Sequence, residues 1–271
     1  MVGVAGPTST MRQRLRWVWI ILLLCSYSLF TYNLFPGWWF SLMGTVLVLG
    51  FAYLAWPTAW AARTGVRIDR RVALVVPGLY LATAALGAVL VRCAASADGV
   101  AITPVWELDG FWSLVAYSAG QTFTEEIVLG ALLLGAVSYR WQGTHRVVIS
   151  VAVAAVFALF HVAFYGFRPE DMVNQGWLGP MTIVAVFAVG VLRNNLILGS
   201  GHVWFAWAVH FGWNTVFIHN AYEAGTRNLN EPEVFNLVLG YGTTAAAILA
   251  TALMSTWIFR RALGAEPRDP R

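Results

Sequence analysis

The fold is decided by residues 111–138, which read FWSLVAYSAGQTFTEEIVLGALLLGAVS. The only charged residues in this stretch are Glu125 and Glu126, and its length is sufficient for a helix that crosses the roughly 30 Å hydrocarbon core of a bilayer. An ionised carboxylate at that depth costs about 3 kcal/mol or more. The stretch therefore predicts a membrane helix that carries a buried functional site.

Apolar runs of comparable length recur through the chain. Of its 271 residues, 59% are hydrophobic and 11% are charged, against roughly 25% charged residues in ordinary soluble domains. Unpaired backbone groups are too costly in lipid, so long apolar runs form helices there. We predict an all-α fold, a polytopic membrane helical bundle of about eight transmembrane helices at residues 17–35, 38–61, 72–91, 111–138, 147–166, 178–192, 203–221 and 236–259.

The domain organisation follows from the distribution of these runs. Residues 17–259 are predicted to form a single transmembrane domain, with the active-site core in residues 111–221. Residues 1–16, which combine small and polar residues with several arginines, are predicted to be a disordered basic segment. Residues 260–271 are predicted to be a cytoplasmic tail.

The positive charge of the chain indicates its orientation in the membrane. All 17 basic residues are Arg, and the net charge is +4. If the N-terminus is cytoplasmic, only Arg92, Arg168 and Arg227 face outward, and the other 14 arginines face the cytoplasm. Cytoplasmic loops carry an excess of basic residues. We therefore predict a multi-pass cell-membrane protein with both termini cytoplasmic, whose partners are the lipid bilayer and a peptide or protein substrate but not nucleic acid.

Two further predicted spans carry polar residues. His161 ends the sequence Phe157-Ala158-Leu159-Phe160-His161, and His210 and Asn214 lie four residues apart, so they share one helical face. Glu126 and His161 lie 14 and 15 residues from Arg140 and Arg146 at the cytoplasmic boundary, which is roughly 21 to 22 Å for each at 1.5 Å per residue. Their matching depth predicts that they meet.

A carboxylate, two imidazoles and an amide in a buried cavity support one kind of chemistry. A Glu and a His can hold and deprotonate a water molecule, and a His with an Asn can donate hydrogen bonds to a developing oxyanion. This combination favours hydrolysis of an acyl bond without a covalent nucleophile. The same residue types also bind zinc, so a metal site formed by Glu125, His161 and His210 stays open, and no cofactor is assigned.

These motifs resemble the CPBP, or Abi, family of CAAX-processing and bacteriocin-processing proteins, which includes type II CAAX prenyl endopeptidases. The family pattern is Glu-Glu-x-x-x-Arg, then Phe-x-x-x-His, then His-x-x-x-Asn or Asp. It is matched by Glu125-Glu126, Phe157 to His161, and His210 to Asn214. The resemblance implies an intramembrane endopeptidase that acts on a membrane-associated or lipidated protein or peptide.

The resemblance also implies a role for each residue. Glu125 would be the base that activates water, assisted by His161, and Glu126 would support it. His210 and Asn214 would form the oxyanion site.

One position departs from the family pattern, because Gly130 stands where the motif has Arg. Another arginine, such as Arg193, could reach in, or one carboxyl group could stay protonated. Alternatively, this member could have lost proteolysis. Gly130→Arg is expected to be tolerated if the cavity keeps the family geometry, whereas loss of folding would show that the glycine packs against a neighbouring helix.

Two other functions fit the same polar residues. In a proton- or cation-coupled transporter, the glutamates and histidines would relay protons or bind a cation. In a non-proteolytic immunity or maturation partner, the scaffold would be kept without catalysis. Transporters often show repeated halves or broken helices, and the sequence shows neither.

Overall fold

The computed structural model describes residues 38–55, 57, 60–97, 102–104, 111–134, 144–165, 179–222, 236 and 238–264. This part of the chain is a helical bundle with one short ribbon of two strands. Its helices are α1 (Trp38–Ala55), α2 (Trp60–Thr64), α3 (Arg70–Ala97), α4 (Phe111–Glu125), a π-helix (Glu126–Leu132), α5 (Thr144–Tyr165), α6 (Pro180–Ser200), α7 (Val203–His219) and α8 (Gly242–Gly264).

Two helices form the centre of the bundle. α7 packs against α3, α4 and α6, and α6 packs against α5, α7 and α8. Small residues allow these approaches, since a Cβ on Gly190 of α6 would lie 3.1 Å from Ala154 of α5. A Cβ on Gly212 of α7 would lie 2.8 Å from the Tyr80 carbonyl oxygen of α3. Close contact at small residues is the usual way in which membrane helices pack.

Several predicted spans end in different places in the structure. The predicted span 38–61 is divided into α1 and α2, and α8 begins at Gly242 rather than at residue 236. The prediction that the sixth span ends at residue 192 is wrong, because α6 continues to Ser200. It stops at Gly201, which has a φ of 75° and whose N–H donates to the Ile197 carbonyl. The predicted span 17–35 lies outside the described residues.

The chain is not helical throughout the described residues. β1 (Ile102–Pro104) and β2 (Asn220–Tyr222) form an antiparallel ribbon, in which Thr103 faces Ala221. The ribbon joins the segment after α3 to the end of α7. The prediction of a helical bundle is confirmed, with this ribbon as an addition to it.

Two described helices have the length and composition of membrane spans. Residues Arg70–Cys93 and Pro180–Ser200 are long and apolar enough to cross a bilayer, and shorter apolar helices lie at Met43–Leu54, Val147–Val162 and Gly242–Ile258. Large apolar side chains such as Leu74 and Leu81 on α3 and Leu253 on α8 are exposed. An extensive apolar exterior of this kind suits contact with lipid.

A clamp of loop 65–69 against residues 201–204 fixes the beginning of α7. Three hydrogen bonds form it: Val203 N–H donates to Gly65 O at 3.1 Å, Trp204 Nε1–H to Val66 O at 2.9 Å, and His202 Nδ1–H to Arg67 O at 3.0 Å. Gly65 has a φ of 67°, and a Cβ there would lie 2.8 Å from the Val203 nitrogen. Glycine is therefore required at this close approach.

An ion pair completes the clamp. His202 Nε2 lies 3.2 Å from Asp69 Oδ2. Nδ1 of the same ring donates to the Arg67 carbonyl oxygen, so both ring nitrogens face oxygen acceptors. Asp69 also caps α3, accepting a hydrogen bond from Val72 N–H at 2.9 Å. That bond, with the charges of His202 and Arg71, holds the pKa of Asp69 below its ordinary value of 3.8.

We expect substitutions at Asp69 to separate the cap from the charge. Asp69→Asn keeps an oxygen that can accept from the Val72 N–H, whereas Asp69→Ala removes both the cap and the charge. At pH 7 we therefore expect the Tm to fall slightly in Asp69→Asn and further in Asp69→Ala. Since the folded pKa is lowered, the contribution of the charge is complete above about pH 3.8 and is lost as the pH falls through the folded value. The Tm of wild type and of Asp69→Asn, measured in detergent between pH 7 and pH 3, tests this prediction. A difference in Tm between the two proteins that is the same at pH 3 as at pH 7 would contradict it.

Candidate active site

Glu126 lies at the centre of the candidate site, where the helical backbone changes its hydrogen-bonding pattern. α4 ends at Glu125, and the seven-residue π-helix begins at Glu126. Every residue of this π-helix is buried, and the Glu126 side chain is 0% exposed. π-helical turns occur frequently at functional sites. The π-helical turns therefore begin at the second of the two adjacent glutamates, Glu125 and Glu126.

His210 is the first partner of Glu126. Its Nδ1–H donates to Glu126 Oε1 at 2.8 Å, and its side chain is 13% exposed. α7 provides this contact, since its helix packs against both α4 and the π-helix. Because Nδ1 is bound to the carboxylate, Nε2 is the nitrogen that is left for a substrate or water.

His161 is oriented by its own helix. Its Nδ1 lies 3.0 Å from the Phe157 carbonyl oxygen, one turn earlier in α5. The carbonyl can only accept, so Nδ1 carries the proton, and in the neutral ring Nε2 is an acceptor. The Phe157 ring contacts the imidazole, with 4.5 Å between the ring centroids. The spacing Phe-x-x-x-His thus places the aromatic ring and the carbonyl of one residue beside the histidine.

Glu125 and Asn214 complete the set that the sequence predicts. Glu125 is 8% exposed and interacts electrostatically with both His161 and His210. Asn214 is partly buried and lies one helical turn beyond His210. The structure therefore brings Glu125, Glu126, His161 and His210 into one electrostatic cluster. The catalytic roles of all five residues stay predictions.

Arg193 lies elsewhere in the structure than the sequence predicts. The sequence counts it among the 14 arginines that face the cytoplasm, whereas in the structure it lies inside α6 and is only 3% exposed. Its Nε lies 3.6 Å from Glu126 Oε2, and its guanidinium carbon lies 4.4 Å from the centre of the Phe157 ring. Arg193 thus provides a buried positive charge beside the glutamates. This is the first of the three alternatives that the sequence leaves open for the missing motif Arg, namely that another arginine reaches in.

Gly130 lies against this ion pair. A Cβ at residue 130 would overlap Ile197 Cδ1 of α6 and would lie 3.3 Å from Glu126 Oε2. The expectation that Gly130→Arg is tolerated is therefore not supported by the packing. The glycine allows α6 to approach the π-helix closely enough for Arg193 to reach Glu126.

Among the described residues, no grouping of side chains supports a bound metal ion. Within the described ranges, no three His, Cys, Asp or Glu side chains are grouped closely enough to hold one. The ligand set of Glu125, His161 and His210 that the sequence suggests stays a prediction.

The comparisons with known proteins agree with the motifs. Residues 106–216 match the family model described as Rce1-like, type II CAAX prenyl endopeptidase Rce1-like. This range, which is less than half of the chain, includes both glutamates, both site histidines and Asn214. No curated protein and no solved structure matches the chain. The family consists of membrane proteins with peptidase activity. Over residues 106–216, the chain is therefore similar to the CAAX protease family that its motifs resemble.

Proposed function

We propose that the protein is an intramembrane endopeptidase that hydrolyses a peptide bond of a membrane-associated or lipidated protein or peptide. The observation that carries this proposal is the grouping of three motifs around two adjacent buried carboxylates, Glu125 and Glu126. Glu126 binds His210 directly, while the neighbouring Glu125 interacts with both His161 and His210. Their helices, α4 with the π-helix, α5 and α7, come from separate parts of the chain.

In the proposed reaction Glu125 takes a proton from a water molecule, whose oxygen attacks the carbonyl carbon of the peptide bond. His161 Nε2 accepts the second hydrogen of that water and orients it. The C–N bond then breaks, and the proton passes from Glu125 to the departing amine. Both oxygens of Glu126 face positively polarised groups, Arg193 and His210, so Glu126 serves as the supporting residue.

His210 and Asn214 are assigned to the developing oxyanion. Asn214 donates from its amide nitrogen, and His210 donates from Nε2, for which the ring must carry both protons. The Glu126 carboxylate against Nδ1 favours this form of the ring by its charge. Hydrogen-bond donors fixed in a water-poor site are more effective than the same donors in water.

The proposal is tested by comparing peptides in cells that make the wild-type protein with peptides in cells that make Glu125→Ala. We expect at least one membrane-associated precursor to accumulate, and its products to disappear, when Glu125 is replaced. If the two peptide populations are identical while proton or cation flux across the membrane differs, the protein is a transporter. If neither differs, the scaffold acts without catalysis.

We also propose that the bundle spans the membrane eight times with both termini cytoplasmic. The Arg70–Ala97 helix supports this orientation, since it begins with two arginines and is apolar up to Arg92. Reporter fusions after Arg71 and after Arg271 should be cytoplasmic, and a fusion at Asp98 should be external. The reverse pattern would reject the topology without affecting the site.

A further inference from the structure

The side chain of residue 130 would point towards the Glu126 carboxylate. A Cβ there would lie 3.3 Å from Glu126 Oε2 and 3.9 Å from Arg193 Nη2. The guanidinium of Arg193 therefore lies beside the point at which a side chain at residue 130 would begin. That guanidinium comes from α6, 63 positions later in the chain.

We propose that Arg193 is a positioning residue of the site, which supplies from α6 the cation that the family motif places at residue 130. This inference rests on the proposed peptidase function. Arg193 is buried, and its guanidinium nitrogens have no hydrogen-bond partner among the described residues. Its charge is therefore balanced mainly by Glu126, which lies 3.6 Å away.

Arg193 contacts both halves of the site. On one side it holds Glu126, whose other oxygen binds His210. On the other side it lies over the ring of Phe157, at 4.4 Å. Phe157 in turn contacts the His161 imidazole and accepts its Nδ1–H. One guanidinium thus contacts the two residues, Glu126 and Phe157, that orient the two histidines.

A positioning role and a purely structural role of Arg193 predict different effects of replacing it. If Arg193 only fills space between α6 and the π-helix, a neutral side chain of similar length should replace it. If its charge positions Glu126, a neutral side chain should fail, and an arginine that enters from residue 130 should restore function. The approach from residue 130 is obstructed by the end of the Ile197 side chain, which Ile197→Ala removes.

The test uses the purified full-length protein and four variants: Arg193→Met, Arg193→Lys, Ile197→Ala as the packing control, and the triple variant Arg193→Met, Ile197→Ala, Gly130→Arg. We expect Arg193→Met to lower kcat/KM by roughly 10- to 100-fold, by analogy with lost partners that orient the ligands of metal sites. The triple variant should regain at least about tenfold, and Arg193→Lys should exceed Arg193→Met. Ile197→Ala should stay close to wild type.

A second readout does not depend on peptidase activity. The Nδ1 proton of His210 should give a downfield NMR resonance while its bond to Glu126 persists. We expect this resonance to be lost in Arg193→Met and restored in the triple variant. If wild type cleaves no peptide, the proposed function fails, while the resonance still decides the role of Arg193.

The proposal is overturned if Arg193→Met keeps both its activity and the resonance. It is also overturned if the triple variant is folded but restores neither. If Arg193→Met does not accumulate, the triple variant alone is measured, because it retains one cation in the core. The His210 Nδ1 resonance in this variant supports the proposal, and its absence rejects the proposal.

Discussion

Glu125→Ala is expected to abolish turnover, because it removes the base that activates the water; a positioned acid or base usually contributes up to about 10⁴-fold. Its amount in the membrane should be that of wild type, because the buried ion pair of the site is formed by Glu126 and Arg193. His161→Ala should lose activity to a similar extent, since its Nε2 orients the same water. Cleavage rates per mole of purified, folded protein measure both effects.

Asn214→Ala is the matched control for this prediction. Loss of one oxyanion donor typically lowers the rate by roughly 10²- to 10³-fold, so this variant should keep more activity than Glu125→Ala. His210→Ala should resemble it or be more severe, because His210 also binds Glu126. Equal activity of Glu125→Ala and wild type would reject Glu125 as the base.

Glu126→Leu is expected to destabilise the protein by about 3 to 5 kcal/mol, the usual effect of removing one partner from a buried ion pair. The substitution leaves the Arg193 guanidinium buried beside an apolar side chain. Thermal unfolding in detergent, compared with wild type, measures the loss. The neighbouring substitution Glu125→Ala, which leaves the ion pair intact, is the control.

The double variant Glu126→Leu, Arg193→Leu makes this prediction specific. Removing both charges should restore most of the stability, because apolar pairs often replace buried ion pairs without loss. Activity should not return, since the Nδ1–H of His210 then loses the carboxylate that accepts it. A Glu126→Leu protein as stable as wild type would show that the charge of Arg193 is balanced elsewhere.

The position of the site was predictable from the sequence because its residues are polar exceptions in apolar runs. Glu125, Glu126, His161 and His210 stand out by their cost in lipid. The four-residue spacing in α7 placed Asn214 beside His210, as the structure does. Helical periodicity and burial cost are local properties, and a single sequence displays them directly.

Arg193 could not be placed by the same reasoning. It is followed by Asn194 and Asn195, and three polar residues normally end a membrane span. In the structure all three are buried inside α6 because each has a partner on another helix. Asn194 donates to the Ser150 carbonyl, and Asn195 donates to hydroxyl groups of α8. Such partners are far away in the sequence, so a hydropathy profile cannot reveal them.

The π-helix was equally hidden. Its pattern of hydrogen bonds is a property of the backbone, and side chains in an apolar run allow either helical form. Residues 126–132 do contain Gly130, but a glycine in a membrane helix more often indicates close packing. In the structure Gly130 belongs to the π-helix and also packs closely against another helix. Because it has no side chain, Ile197 and Arg193 of α6 can lie beside it.

The most direct measurement is cleavage by purified protein in proteoliposomes of the precursor that accumulates in Glu125→Ala cells. Products are identified by mass spectrometry. We predict that wild type produces two fragments from one peptide bond, with a new carboxylate and a new amine, and that Glu125→Ala produces neither. No fragments with wild type, or equal fragments with both proteins, would contradict hydrolysis by water that Glu125 activates.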